Sequence, residues 1–327
     1  MGIWSPNGLS DASLIPMKIF RAVVFGFCFV GAMIAAAAPL MVIEDADQVV
    51  ISRGKVPVLT YHKAEMPPPA GESELFRRSG FIHPLHAPNG DVVTSIHPVD
   101  HIHHMGLWHA WVKTRWQGEE IDFWNLKGGN GTVRFVEVLH RDDHGFKVRQ
   151  QQVALAFEDR AETVVLDETL EVAVTSSAEA NVIDYTMTQT NVSDAVLEFP
   201  AYRYGGGITF RAPETWGEPN DSYVTSTGLD RTEGHATRGD WVVMHGPTEQ
   251  GSASVVIMGH PANHDAPQRM RIWPKGKVFF NYAPTQEFDW AIAPGETVVL
   301  RYRVVVVSVR LFPGDVVPWW RDFGGID

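Results

Sequence analysis

The twelve residues from 100 to 111 read DHIHHMGLWHAW. They crowd His101, His103, His104 and His109 among two tryptophans, with Asp100 at the head. Imidazole titrates near neutral pH, so it can give or take a proton in catalysis, and in its neutral form it ligates metals. If residues 101 to 112 are extended, side chains alternate between two faces. His101, His103, Met105, Leu107, His109 and Trp111 then share one face, and His104, Gly106, Trp108 and Ala110 the other. Both faces are partly apolar, so this strand is expected to be buried between layers, where imidazole nitrogens need hydrogen-bond partners.

Three uses of the segment compete. The spacing His101-x-His103 puts two imidazoles on one side of a strand, a common way to hold a divalent metal such as Zn, Mn or Fe. His97 or His260 would supply a third nitrogen and Asp100 a carboxylate, although Leu107 stands where a cupin-like site needs a glutamate. The second use is acid–base catalysis on a sugar by His101, His103 and His104. Asp100 would orient an imidazole, and Trp108, Trp111 and Trp124 would offer flat faces to the ring. The third use is structural, with the nitrogens bonded to backbone; His109 reads best this way.

Other segments add polar groups. RSGFIHPL (78–85) carries Arg78 and His83, and DFWNLKGGNGTV (122–133) carries Asp122, Trp124 and Asn125. AYRYGGGITFRAPETW (201–216) holds Tyr202, Arg203, Tyr204 and Arg211. GHPANHDAPQRMRIWP (259–274) holds His260, Asn263, His264, Arg269 and Arg271, and FFNYAPTQEFDW (279–290) holds Asn281, Glu287 and Asp289. Brought together, they make a cleft rich in Arg, Asn and Trp, which suits a polyhydroxylated or acidic sugar better than a lipid or nucleotide. The expected substrate-binding set is Arg78, His83, Trp108, Trp124, Tyr204, Arg211, His260, Asn263, Asn281 and Glu287.

The elements that must position these groups are strands. Period-two and β-branched runs occupy 55–62, 131–141, 163–174, 181–191, 252–260 and 297–310. Turn signals such as APNGD, KGGNG, RDDHG and APGE separate them. No stretch of a dozen residues shows a helical stripe. The pattern predicts an all-β protein, a large two-sheet sandwich in one domain spanning 38–327. Residues 62–80 read as an excursion over the surface.

Residues 1–37 read as a secretory signal. Lys18 and Arg21 precede the run AVVFGFCFVGAMIAAAAPL, with an Ala-x-Ala ending and cleavage expected after about Ala37. Met17 is a candidate start. An uncleaved anchor is the alternative, but the apolar core is shorter than the roughly 20 residues of a span. The only cysteine, Cys28, lies in this run, so the mature chain has no disulfide and no thiolate site. Export without disulfides suits a periplasmic or secreted protein. The whole chain carries −12; without residues 1–37, whose Lys18, Arg21 and Asp11 give +1, it carries −13. Such a charge repels nucleic acid and anionic membranes. YGGGITF lacks both the Lys-Ser/Thr of a P-loop and the GxGxxG spacing.

In order along the chain, RSGFIHPLHAPNGDVVT, PVDHIHHMGLWHAWV, DFWNLKGGNGTVRF, YRYGGGITFRAPETW, GHPANHDAPQRMRIWP and FFNYAP resemble the bacterial family labelled "methane oxygenase PmoA". The resemblance runs from about residue 48 to 312 and touches Arg78, His83, Pro84, Asp100, His101, His103, His104, Gly106, Trp108, Trp124, Gly205–Gly207, Arg211, His260, Pro261, Asn263 and Asn281. Methane oxidation itself is disfavoured, since that enzyme needs several membrane helices. The resemblance implies the galactose-mutarotase-like supersandwich of aldose epimerases, whose members pair a histidine acid with a glutamate base. His103 or His104 would be the acid and Glu287 the base. The expected function is acid–base chemistry on a carbohydrate: epimerisation, elimination or hydrolysis. The alternatives are a metal-dependent oxidoreductase or hydrolase using His101 and His103, and a non-catalytic sugar-binding module.

Overall fold

Strict alternation makes Ala180–Asn191 a central strand: Ile183, Tyr185, Met187 and Gln189 point inward, and Asp184, Thr186 and Thr188 are half-exposed. Its neighbours Thr163–Ser176 and Thr297–Val307 pair with it antiparallel, Leu170 opposite Met187 and Ile183 opposite Val304. A computed structural model describes residues 38–156 and 160–325. The segment read as a signal lies outside the described residues. Ala37–Asp327 forms one compact unit.

Two eight-stranded sheets dominate. The first runs in spatial order Leu40–Glu44, Gln48–Arg53, Val56–His62, Phe81–Leu85, Leu107–Trp108, Thr209–Arg211, Phe279–Ala283 and Arg269–Ile272. The second runs Ser222–Thr225, Trp241–Thr248, Gly251–Gly259, Thr297–Val307, Ala180–Asn191, Thr163–Ser176, Gly145–Ala154 and Gly131–Arg141. Their facing side chains form one core, in which Ile51, Leu107, Phe210 and Phe280 of the first sheet meet Val148, Leu170, Tyr185 and Val304 of the second. The expected all-β sandwich is therefore observed. A third, four-stranded sheet orders Trp290–Ile292, Leu197–Phe199, Thr114–Trp116 and Glu119–Ile121. Among the described residues no helix is long and apolar enough to cross a membrane.

The first sheet has a second buried face. Leu107, Ile82 and Phe280 look into the main core, so their chain neighbours Trp108, Phe81 and Phe279 look the other way, into an aromatic cluster with Trp111, Trp116 and Trp124. The candidate site is built on this outer face.

One element differs from the sequence reading. Pro313–Gly324 is an α-helix, begun by Pro313 in its first turn, with the Asp315 carboxylate accepting the Phe312 N–H at 2.8 Å, and ended by Gly325 in the left-handed region. Val316 is buried against the outside of the second sheet, beside Val305 and Trp241, with Trp319, Trp320 and Phe323 packed around it.

Candidate active site

The DHIHH segment is not extended. The His101 N–H donates to Pro98 O and the His104 N–H to His101 O, each at 2.9 Å, while the His97 N–H reaches back to His104 O. This double turn replaces the alternation expected for 101–112; only Leu107–Trp108 is a strand. These turns close on their own backbone bonds, with His97 at φ +48°, and Gly106, at φ +71° where a Cβ would sit 2.6 Å from the Ile82 carbonyl oxygen, turns the chain again as it enters Leu107–Trp108. The chain bends there, and the three imidazoles gather on one side. Ring centroids lie 4.7 Å apart for His101–His104, 4.8 Å for His103–His104 and 5.6 Å for His101–His103.

These histidines open onto a cavity of about 170 Å³. Its aromatic walls are Trp124, Tyr204, Trp273 and Phe279, and its further polar groups are Asn125, Arg203 and Arg271. Phe279 stacks on His104 at 4.9 Å and on Trp273 at 4.9 Å. Asp122 braces the opposite wall: its carboxylate accepts the Trp124 and Asn125 N–H groups at 2.9 and 2.8 Å and the Asn125 side chain at 2.7 Å. Asn125 in turn accepts the Tyr204 hydroxyl at 3.1 Å. The His104 Nδ1 and Trp124 Nε1 atoms are buried without a hydrogen-bond partner among the described residues, an arrangement suited to a polar ligand.

Burial sets the charge of the site. It pushes His103 down to about 3, helped by His101 and by the positive charges of Arg78 and Arg211. It pushes His104 well below the ordinary range and lowers His101 against the pull of Asp100. The three imidazoles are therefore neutral at pH 7, each able to donate from one nitrogen and accept at the other. His101 Nδ1 lies 3.3 Å from Asp100 Oδ2, and Asp100 Oδ1 accepts from Arg211 Nη2 at 2.8 Å.

The other expected binding residues divide in two. Trp124 and Tyr204 line the cavity. Trp108 stands behind it, 5.1 Å from His104 and 5.3 Å from Trp124. Arg211 is fully buried, holds Asp100 and Glu214, and lies 5.1 Å over Trp273, so it positions the site rather than lining it. Arg78 is also fully buried; its guanidinium donates to the His109 and Ser79 carbonyls and burial lowers it to about 10.

The remaining five lie elsewhere. His83 Nδ1 is 2.9 Å from Thr94 Oγ1. His260 packs on Phe323 of the C-terminal helix, and Asn263 clamps both the N–H and the carbonyl of Arg301. Glu287 joins Arg238 and Arg269 in an ion-paired cluster, whose bonds hold its carboxyl below the usual range. It is not at the cavity, so the histidine–glutamate pair implied by the aldose epimerases is not assembled by this residue.

Asn281 pins the glycine run, its Oδ1 accepting the Gly205 N–H at 2.9 Å and its Nδ2 within 3.2 Å of the Gly207 and Ile208 carbonyls. At Gly207 a Cβ would sit 2.2 Å from the Tyr282 oxygen and 2.8 Å from the Tyr302 hydroxyl. Gly207→Ala is accordingly expected to cost about 3 kcal/mol, read as a lowered midpoint in urea; an unchanged midpoint would mean that this packing is not tight.

Asn125, Arg203 and Arg271, named among the polar groups of the cleft but outside the expected binding set, line the cavity, as do Trp273 and Phe279, which the sequence reading does not name. All sit in the polar segments already noted, but nothing local distinguishes them from their neighbours. As for metal, His101 and His103 meet edge to face, and among the described residues no group of three His, Cys, Asp or Glu side chains converges as ligands.

His83 carries a pH prediction. Burial lowers it to about 4, against about 6.5 in an unfolded chain. Between those values the unfolded state binds a proton that the native state does not, so stability is complete above pH 6.5 and is lost as pH falls. The slope is at most about 1.4 kcal/mol per pH unit for this group. Thermal midpoints should drop from pH 7 to 5, less steeply in His83→Gln; identical slopes would remove His83 from the account.

The fold and site together define an all-β sandwich protein with an imidazole-bearing, aromatic-walled cavity on the outer face of one sheet. The chain belongs to DUF6807, a family of unknown function, which matches residues 48–320. No curated protein matches it in sequence. Similar solved structures include a putative aldose 1-epimerase from Klebsiella pneumoniae subsp. pneumoniae, 11% identical over 87% of this chain and 86% of that one, with a TM-score of 0.41. A galactose mutarotase related enzyme from Lactobacillus acidophilus is 11% identical over 83% and 100% of the two chains, with a TM-score of 0.36. A polysaccharide lyase is 9% identical over 83% of this chain, which spans 33% of that protein, with a TM-score of 0.36.

Proposed function

We propose that this protein is a carbohydrate-active enzyme that moves protons on a sugar held in the cavity. The observation that carries the reading is the convergence of three neutral imidazoles on one open cavity walled by Trp124, Tyr204 and Trp273. Indole and phenol faces suit the apolar face of a pyranose. His101 has Asp100 3.3 Å from its Nδ1, a charge contact without hydrogen-bond geometry, which raises the basicity of this imidazole for proton transfer. His103 is the second acid–base group, and His104, almost wholly buried, sets the position of both.

Among the described residues, none that lines the cavity carries a carboxylate. Glycoside hydrolysis ordinarily uses two, one of them as acid and the other as base or nucleophile. β-Elimination, or epimerisation by removal and return of a C–H proton, needs only imidazole: a neutral ring takes the proton, and the imidazolium so formed gives it back to the leaving oxygen or to carbon. The basic flank and apolar run before Ala37 support action outside the cytoplasm.

The test is a product screen by NMR with neutral aldoses, uronic acids and their oligomers. New anomeric or vinylic signals, absent with His101→Asn and His103→Asn, are expected. Sugar binding without product from any member would make the protein a binding module. Turnover that needs added Zn, Mn or Fe, with one equivalent bound and lost in His103→Ala, would overturn the metal-free reading.

A further inference from the structure

We infer that the sugar carries a carboxylate and that Arg203 and Arg271 hold it, an inference that rests on the reading of the cavity as a sugar site. Both guanidinium groups line the cavity with the histidines. The chain has more acid than base, 39 Asp and Glu against 27 Lys and Arg; Arg211 holds Asp100, Arg238 holds Asp265 and Arg269 holds Glu287, while the buried Arg78 donates to backbone carbonyls. Arg203 and Arg271 make no ion pair among the described residues. Arg203 lies over the rings of Tyr204 and Tyr202 at 5.5 and 5.9 Å. Arg271 Nη1 is 3.0 Å from His235 Nε2, which must accept this bond and is thereby held neutral on that side.

The two charges also act on each other. Burial lowers Arg271 below the ordinary arginine value, and the positive charge of Arg203 lowers it further. Like charges sharing a half-buried cavity repel, and an anion between them relieves that repulsion. The imidazoles cannot supply the counter-charge and, being neutral, do not compete for it. A carboxylate is the anion that matches a planar guanidinium fork with two parallel hydrogen bonds. The ring contacts of Arg203 with Tyr202 and Tyr204, and the bond from Arg271 to His235, place the two forks before the ligand arrives. The arrangement therefore selects a uronic acid over the corresponding neutral sugar.

Calorimetric titration tests this with galacturonate and its trimer against galactose and galactotriose, with galactose 6-sulfate and acetate as further ligands. The uronates are expected to bind at least about 30-fold more tightly than the neutral sugars, with affinity falling as salt rises. Arg203→Gln and Arg271→Gln should each remove most of that preference, and Arg271→Lys, which keeps the charge but not the fork, should restore only part. Arg203 is exposed, so its replacement leaves the fold in place. Equal binding of uronate and neutral sugar would overturn the carboxylate while leaving the sugar site standing. Tighter binding of the sulfated sugar would replace the carboxylate by a tetrahedral anion. Acetate binding as tightly as galacturonate, or no sugar binding at all, would overturn both readings.

Discussion

His103→Asn is expected to lower turnover of the sugar substrate by about 10²- to 10⁴-fold, the usual contribution of a positioned acid–base group. Asparagine keeps a polar side chain of similar reach but cannot carry a proton between two nitrogens. The variant should fold, because His103 is only partly buried and sits in a turn whose backbone bonds run between Pro98, His101 and His104. Its neutral state follows from burial and from the positive charges of Arg78 and Arg211. A bound anion opposes that field, so ligand binding should raise the proton affinity of His103 at the moment it is needed. The check is kcat for wild type and variant, with thermal midpoints measured in parallel. A variant within threefold of wild type would show that His103 does not move the proton.

Glu168→Ala is expected to cost about 3 to 5 kcal/mol of stability, the usual result of breaking one partner out of a buried charged network. Glu168 is 1% exposed, between the two large sheets. Its Oε1 lies 2.7 Å from His109 Nε2 and accepts from Gln150 Nε2 at 2.7 Å, while Oε2 accepts from Gln189 Nε2 at 2.6 Å. The second His109 nitrogen is 2.8 Å from the Tyr185 hydroxyl, and Trp111 Nε1 donates to Gln189 at 3.0 Å. Burial alone would raise the carboxyl, but the bonds to His109, Gln189 and Gln150 outweigh it and hold it below the usual range. Removing the carboxylate orphans three donors and takes away a negative charge that offsets the fully buried Arg78. Urea unfolding measures the loss. A loss under 1 kcal/mol would mean that water enters the core and replaces the carboxylate.

His109 was legible as a structural histidine, but Glu168 was not. Alternation places Glu168 on the inward face with Leu166, Leu170 and Val172, but nothing local shows that His109 meets it there. The sandwich itself was legible because runs such as 180–191 bury one face and expose the other, which imposes period two. The C-terminal helix also left a signal: Val316, Trp319, Trp320 and Phe323 fall at helical spacing after Pro313. Pro318 inside the run and the shortness of the segment hid it.

The histidine segment shows the opposite balance, with its chemistry visible and its geometry not. Alternation assumes extended backbone, and the two turns over 98–104, followed by Gly106 at positive φ, cancel that assumption. Arg203, Arg271 and Trp273 come to His103 from positions a hundred and more residues away. The two arginines stand out locally as polar groups, but their convergence depends on how distant parts of the chain are brought together. Asn281 and Asn263, expected to bind substrate, do not line the cavity. Their work is to satisfy irregular backbone near the glycine run and Arg301.

The central claim, proton transfer to and from a sugar by these imidazoles, is tested most directly by running the protein in D₂O with galacturonate oligomers and their neutral counterparts, and following the sugar C–H signals by NMR. The account predicts loss of a C–H signal by deuterium exchange, or its conversion to a vinylic proton, in wild type and not in His103→Asn. Sugars that bind the cavity yet keep every C–H signal, with no product formed, would contradict it.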